Sequence, residues 1–212
     1  MKRFITSILM VILVLALAAC SSNTNTAGES NVKANNSNAS TATETSAEST
    51  EAAKPTTVEF TDSHGTVTVP VNPQNVVALD NRTFETLADW GVKLAAVPKG
   101  VMPKDSPYVA DESVQDIGNH REPNLEIIAA VNPDLVIVGQ RFSSFYEDIK
   151  KLVPNAAVID VNVDVSGENG TPGDNLVNGF KEITTKFGEI FDKNEEAAQL
   201  VAEFDQALAD AK

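Results

Sequence analysis

Two arginines lie within three residues after short apolar runs, and their positions predict a site for an anion. Arg82 comes after Val76–Leu79, and Arg141 comes after Leu135–Gly139. Both runs are apolar throughout, which is typical of strands that are buried on both faces of a parallel sheet. In such sheets ligands bind at the carboxyl ends of the strands, where the N-termini of the following helices also favour negative charge. The alternative is that both arginines are surface side chains paired with neighbouring carboxylates.

The residues around Arg141 indicate that the anion is planar. Residues 140–146 read QRFSSFY and combine a guanidinium group with aromatic rings and hydroxyls. A guanidinium forms charge-assisted hydrogen bonds with an anion, and aromatic faces accommodate a flat ligand. The predicted ligand-binding residues are Arg141, Arg82, Phe142, Ser143, Ser144, Tyr146 and Asn81.

The sequence carries no catalytic or metal-binding signature. It contains neither a G-x-S-x-G elbow nor a phosphate-binding G-x-x-x-x-G-K-[ST] loop. One cysteine and two histidines exclude an intrachain disulfide and a cysteine-rich metal centre. We therefore predict a binding protein rather than an enzyme, with no catalytic residues, no resident cofactor and no metal site.

The charge balance excludes two classes of partner. The chain has 16 Lys and Arg against 30 Asp and Glu, a formal net charge of −14. The electrostatic field of so acidic a protein repels nucleic acids and anionic membrane surfaces. An anionic ligand is compatible with this charge only where a few guanidinium groups and helix N-termini dominate the site.

The N-terminal segment is typical of a secreted lipoprotein. Residues 1–19 carry Lys2 and Arg3 before the apolar run Ile8–Leu17, which is too short to span a membrane. This segment ends in Leu-Ala-Ala-Cys at residues 17–20, which resembles the bacterial lipobox and implies a lipid on Cys20. Residues 20–56 are predicted to be a flexible linker, because they are rich in Ser, Thr, Asn and Ala and cannot bury enough apolar surface to fold.

The elements that position the arginines follow from the hydrophobic pattern. An initial hairpin is predicted, and after it apolar runs alternate with amphipathic stretches, which indicates an α/β fold with a mainly parallel sheet flanked by helices. The predicted strands are Val58–Phe60, Val67–Val69, Val76–Leu79, Leu94–Val97, Leu135–Val138 and Ala157–Ile159. The helices are predicted to begin at Asp80 or Asn81, at Pro123, at a Ser144–Glu147 capping box, at Thr171 and at Asn194.

Several segments together carry a resemblance to a known family. With the lipobox, they are similar to the substrate-binding lipoproteins of bacterial iron–siderophore ABC importers, and residues 139–146 look like the catecholate-type subgroup. The segments are VTVP at 67–70, NPQNVV at 72–77, EPNLE at 122–126, NPDLVI at 132–137 and GQRFSSFY at 139–146.

The resemblance implies a domain organisation. Members of this family have two α/β lobes joined by a long helix, with the ligand in the cleft between the lobes. Residues 57–193 match the N-terminal lobe and residues 194–212 look like the start of the interlobe helix. The family is longer than this chain, so the resemblance implies a fragment or truncated product without the C-terminal lobe.

The resemblance also implies a function and roles for particular residues. Arg141 matches an arginine that contacts the anionic siderophore, and Glu126 matches a glutamate that docks on the permease. Iron ligands in relatives come from the other lobe, so none is assigned here. The expected protein is a monomer that is anchored to the cell membrane through Cys20 and faces outward, extracellular in a Gram-positive cell or periplasmic in a Gram-negative one. There it would capture a ferric siderophore and deliver it to the ABC permease.

Other functions remain open at this point. The ligand of a binding lipoprotein could instead be haem, cobalamin or another metal chelate, and Met102 and Tyr108 are the candidate axial ligands for haem. A surface interaction lipoprotein and an extracellular hydrolase are further alternatives, but the hydrolase lacks a recognisable nucleophile–base pair.

Overall fold

An antiparallel hairpin opens the part of the chain that the structure describes. This structure is a computed structural model that describes residues 54–211. The predicted leader at 1–19, Cys20 and most of the predicted linker therefore lie outside the described residues. Strand β1 (Thr57–Asp62) pairs with β2 (Gly65–Pro70), and Val58 lies opposite Val69. Because side chains alternate between the two faces of a strand, this register buries one apolar face and exposes the other.

Five parallel strands form the main sheet, and this confirms the predicted fold class. They are β3 (Val76–Ala78), β4 (Ala96–Val97), β5 (Gln115–Asp116), β6 (Leu135–Val138) and β7 (Ala157–Asp160), arranged in the order β5-β4-β3-β6-β7. Four of them match the predicted apolar runs. The fifth, β5, was missed because it is an edge strand of two exposed polar residues and has no apolar pattern.

The described range contains six α-helices. They are α1 (Phe84–Asp89), α2 (Pro107–Ala110), α3 (Leu125–Ala130), α4 (Tyr146–Leu152), α5 (Pro172–Phe191) and α6 (Asn194–Asp210). None of these helices combines the length and the apolar character that a membrane-spanning segment requires.

Three predicted helix starts are corrected by the structure. Helix α1 begins at Phe84 rather than at Asp80 or Asn81, because the Asp80 carboxylate binds Arg82 instead of capping a helix. Helix α3 begins after Pro123, where the Oδ1 atom of Asn124 accepts the Glu126 N–H at 3.1 Å. The Ser144–Glu147 capping box does not form, since Ser144 lies within a 3₁₀ turn over Gln140–Phe145 that precedes α4.

The core is divided between the two faces of the sheet. On one face, the hairpin, α1 and the C-terminal half of α5 pack on Val76 and Ala78 of β3. On the other face, α3 and α4 pack on Val77 and Leu79. Alternate residues of one short strand thus enter opposite cores, which explains why the predicted strands are apolar throughout.

Helix α6 packs on α5 rather than on the sheet. A Cβ atom at Gly188 of α5 would lie 2.6 Å from the Cβ atom of Ala197, so the glycine permits the close approach of the two helices. The Lys181 Nζ atom of α5 donates to the Asp205 carboxylate of α6 at 2.8 Å. The assignment of 57–193 to one lobe and of 194–212 to an interlobe helix stays a prediction.

Candidate functional site

The carboxyl ends of β3 and β6 lie side by side at the point where the strand order reverses. From β3 the chain proceeds to β4 and β5 on one side, and then returns to β6 and β7 on the other. In open parallel sheets, loops at such a point diverge and leave a crevice that binds ligands. Asp80, Asn81 and Arg82 follow β3, and Gly139, Gln140 and Arg141 follow β6. The sequence prediction thus placed both arginines at this edge correctly.

The Arg82 guanidinium is held in place by a buried carboxylate. Asp80 is only 4% exposed, and its two oxygens accept Arg82 Nε at 3.0 Å and Arg82 Nη2 at 2.8 Å. Nη2 also donates to the Val161 carbonyl, just beyond β7, at 3.1 Å. The planar group is therefore fixed to two strand ends, and its Nη1 atom has no partner among residues 54–211. The alternative prediction, that Arg82 pairs with a neighbouring carboxylate, is therefore correct for its Nε and Nη2 atoms.

Gly139 makes room for the Asp80 carboxylate. A Cβ atom built on Gly139 would overlap the carboxylate and lie 2.5 Å from the Asp80 Cβ atom. The need for glycine here is close approach rather than backbone freedom, because its φ of −131° is open to any residue. The ends of β3 and β6 can therefore carry this ion pair only if position 139 has no side chain.

Arg141 is exposed on the 3₁₀ turn that follows β6. It has no ion-pair partner among the described residues, so its guanidinium is available to a ligand. Ser143 and Ser144 are exposed on the same turn. Asn81 is also exposed and donates through Nδ2 to the Val101 carbonyl at 3.3 Å. The geometry thus keeps all four in reach of a ligand, and their contacts with one stay predictions.

Two of the predicted ligand contacts are wrong. Phe142 is 0% exposed and Tyr146 is 1% exposed, and both belong to the core on the α3 and α4 side of the sheet. The Tyr146 hydroxyl donates to the Val158 carbonyl at 3.2 Å. Their spacing with Ile149 is the i, i+4, i+7 pattern of a buried helix face, and that signal could have identified them as core residues.

The hairpin turn is attached to the end of β7 by a cluster that sequence reasoning missed. The His64 ring stacks on Tyr146 with 3.6 Å between the ring centres, and its Nε2 atom lies 3.5 Å from Asp160 Oδ2. The Asp62 carboxylate accepts the Asp160 N–H at 2.7 Å. Burial, followed by the negative charges of Asp62, Glu147 and Asp160, raises the pKa of Tyr146 to about 12.

The raised pKa of Tyr146 predicts a loss of stability at alkaline pH. Because the folded state holds the phenolic proton above the unfolded-state pKa of about 10, this contribution is complete below pH 10 and is lost between pH 10 and 12. The slope from this one group is at most about 1.4 kcal/mol per pH unit. Urea unfolding of the wild type and of Tyr146→Phe at pH 8, 10 and 11 measures this contribution to stability. The difference in unfolding free energy between the two should shrink above pH 10, and a pH-independent difference would contradict the assignment.

A pocket of about 320 Å³ adjoins Arg82. It lies between α1 and α5 and was not predicted, because half of its wall comes from α5, about a hundred residues further along the chain. Its lining residues are Asp80, Arg82, Thr83, Thr86, Val161, Phe180, Ile183, Thr184 and Phe187.

The candidate axial ligands for haem are not available to a ligand. Met102 and Tyr108 are both buried in the core on the hairpin side of the sheet. The Tyr108 hydroxyl donates to the Val92 carbonyl at 2.7 Å, and burial raises the pKa of this phenol. Tyr108 is therefore a neutral structural side chain, and neither of the two candidates supports the haem alternative. Within that same range no cluster of three or more His, Cys, Asp or Glu could hold a metal ion.

Glu126 lies at the same edge of the domain as the two arginines. It is exposed in the first turn of α3, which begins at the carboxyl edge because it follows β5. Its carboxylate faces solvent next to a helix N-terminus, where negative charge is favoured. Glu126 is thus an exposed residue of the carboxyl edge rather than a core residue.

Comparison with known proteins identifies similar chains. Residues 76–212 match a family model described as periplasmic binding protein. Petrobactin-binding protein YclQ of Bacillus subtilis (strain 168) is 32% identical over 153 residues, which are 71% of this chain and 44% of that protein. The probable siderophore-binding lipoprotein YfiY of the same organism is 26% identical over 150 residues, 68% of this chain and 41% of that protein.

Solved structures of siderophore-binding proteins share the fold. The crystal structure of YclQ matches with a TM-score of 0.63 and 29% identity, and the match covers 74% of this chain and 52% of that one. BauB, bound to a complex of two acinetobactin molecules and ferric iron, matches with a TM-score of 0.61 and 27% identity, covering 71% and 51%. The chain spans less than half of the length of the two curated relatives.

Proposed function

Because the chain belongs to the periplasmic binding protein family, we propose that it captures a ferric siderophore at the carboxyl edge of its sheet and delivers it to an ABC permease. The family and the relatives named above are binding proteins rather than enzymes. One observation supports the place of capture. Two arginines lie at the crevice between β3 and β6, one fixed by Asp80 and one exposed without a partner in the described range.

The two guanidinium groups suit an anionic ferric complex. Arg82 offers its Nη1 hydrogens from a fixed position, and Arg141 offers an exposed guanidinium on the turn after β6. Ser143 and Ser144 add hydroxyls beside Arg141. Because Arg82 is already held in place, it loses little conformational entropy on binding, which favours an anion even in a protein whose net charge is −14.

A titration tests this proposal directly. The protein is titrated in a calorimeter with ferric petrobactin and with ferric enterobactin, both anionic, and with a ferric hydroxamate complex of net positive charge as the control. Saturable binding of the anionic complexes alone is the expected result. Equal binding of the cationic complex, or no binding of either anionic one, would overturn the proposal.

The proposed setting is the outer face of the cell membrane. The lipobox at residues 17–20 supports a lipid on Cys20, and a relative is named as a lipoprotein. In this arrangement the protein acts as a monomer whose linker holds it near the permease. Delivery then requires a docking surface that remains accessible while the ligand is bound.

Glu126 is proposed to contribute to that docking surface. Since Glu126 is exposed on α3 and forms no ion pair with the site residues in the described range, Glu126→Ala should leave the affinity for the ferric siderophore unchanged and should lower its uptake by cells that carry the permease. Calorimetry and uptake of radioactive iron are the two measurements. The neighbouring exposed residue Glu122 provides the control, as Glu122→Ala. A large loss of affinity in Glu126→Ala would instead place this side chain in the ligand site.

A further inference from the structure

The pocket beside Arg82 has the size and wall chemistry of a site for a small organic molecule. Its volume of about 320 Å³ is at the lower end for ligand sites, which are commonly concave and mainly apolar. Phe180 and Ile183 of α5 line it and are half-buried, while Phe187 and Val161 are buried. Most of the wall is therefore aromatic or aliphatic, and a ligand must present an apolar body to it.

The charged end of the pocket is electrically balanced. Arg82 lines the pocket, and both oxygens of the adjacent Asp80 accept hydrogen bonds from it, at 3.0 Å and 2.8 Å. Because Asp80 balances its charge, Arg82 offers an anion a short-range hydrogen bond at close contact rather than a net positive field. What remains is the Nη1 edge of the guanidinium, with two N–H donors and no partner among residues 54–211. The two N–H bonds of Nη1 diverge, so this nitrogen can donate one charge-assisted hydrogen bond to an oxygen of a carboxylate.

Two hydroxyls add polar contacts to the apolar wall. The Thr184 hydroxyl donates to the Phe180 carbonyl at 2.7 Å, which leaves its oxygen free to accept a hydrogen bond. Thr86 lines the pocket from α1 and is half-buried. A ring that carries a hydroxyl substituent could use either threonine.

From these features we infer that the pocket between α1 and α5 binds a single aromatic monocarboxylate. The carboxylate accepts from Arg82 Nη1, and the ring packs against Phe180, Ile183 and Phe187. Such a ligand contains no metal and is far smaller than a ferric siderophore. The site therefore shares the Asp80–Arg82 pair with the proposed capture function, and its apolar wall comes from α5 and Val161.

The test uses benzoate as the probe and the full chain labelled with ¹⁵N. In NMR titrations, benzoate should shift the amide signals of Thr86 and Thr184 in a saturable manner. Benzyl alcohol, which has the same ring without the charge, should bind about tenfold more weakly, because its neutral hydroxyl oxygen accepts a weaker hydrogen bond than a carboxylate does. Since no iron is present, the outcome does not depend on whether the protein captures ferric siderophores.

A pair of variants on the same helix separates pocket binding from general surface binding. Ile183→Trp fills the pocket and should abolish the benzoate shifts. Leu176→Trp, at an exposed position of α5 outside the pocket lining, should bind benzoate as the wild type does. If Ile183→Trp does not fold, the inference is tested by comparing the affinities of the wild type for benzoate and for benzyl alcohol. Equal affinity for the two probes, or shifts that do not saturate at Thr86 and Thr184, would overturn the inference.

Discussion

Gly139→Ala is expected to destabilise the domain by about 3 kcal/mol, because the new methyl group meets the base of the buried ion pair. The added Cβ atom would overlap the Asp80 carboxylate and lie 2.5 Å from the Asp80 Cβ atom. Rotation of the Asp80 side chain cannot relieve the second clash, since that atom is fixed to the backbone of the segment after β3. Either the end of β6 moves away from β3, or Asp80 leaves and Arg82 loses its hydrogen bonds.

Urea unfolding with a double-mutant cycle measures this effect. In an Asp80→Gly background, Gly139→Ala should lower the free energy of unfolding by much less, because the overlapping atoms have been removed. Gly173→Ala is the matched control, since nothing lies within 4 Å of a Cβ atom at that position in the first turn of α5. That variant should be neutral or slightly stabilising. If the midpoint of urea unfolding is the same for Gly139→Ala as for the wild type, the two strand ends are not packed as described.

The second large effect is expected on ligand affinity. Arg141→Ala should weaken binding of an anionic ferric siderophore about ten- to a hundredfold, the consequence of losing a hydrogen bond to a charged group worth roughly 1.5 to 3 kcal/mol. Arg141→Lys should recover only part of the loss, because an ammonium group lacks the planar fork. Since Arg141 is exposed and has no ion-pair partner in the described range, its removal should change the free energy of unfolding by less than about 0.5 kcal/mol.

That separation makes Arg141 a better probe than Arg82. Removing the Arg82 side chain leaves the buried Asp80 carboxylate without a partner, so a loss of affinity would be mixed with a loss of stability. Arg121 is exposed in the loop before α3 and serves as the control, as Arg121→Ala. Calorimetric titration and urea unfolding of all variants give the two quantities. Wild-type affinity in a folded Arg141→Ala protein would mean that the anion binds elsewhere.

The positions of the two arginines could be predicted from the sequence because they depend on local patterns. Four apolar runs of three to four residues identify buried parallel strands, and the residue after such a strand always lies at the carboxyl edge of the sheet. The hairpin follows in the same way from alternating side chains around a glycine-containing turn. The apolar runs and the alternating pattern of the hairpin each lie within a few consecutive residues, so they can be recognised without knowledge of distant contacts.

Only the tertiary structure decided which side chains at that edge are available to a ligand. Phe142 and Tyr146 have the residue types of a ligand site, but the helices and the hairpin that pack on them bury both rings. The Asp80–Arg82 pair and the need for Gly139 arise where β3 and β6 become neighbours, although almost sixty residues separate them in the chain. The pocket beside Arg82 exists only because α5 returns across the sheet. The sequence of one such segment does not indicate which distant segment it will contact. Burial depends on what packs against a residue and not only on the residue's own type.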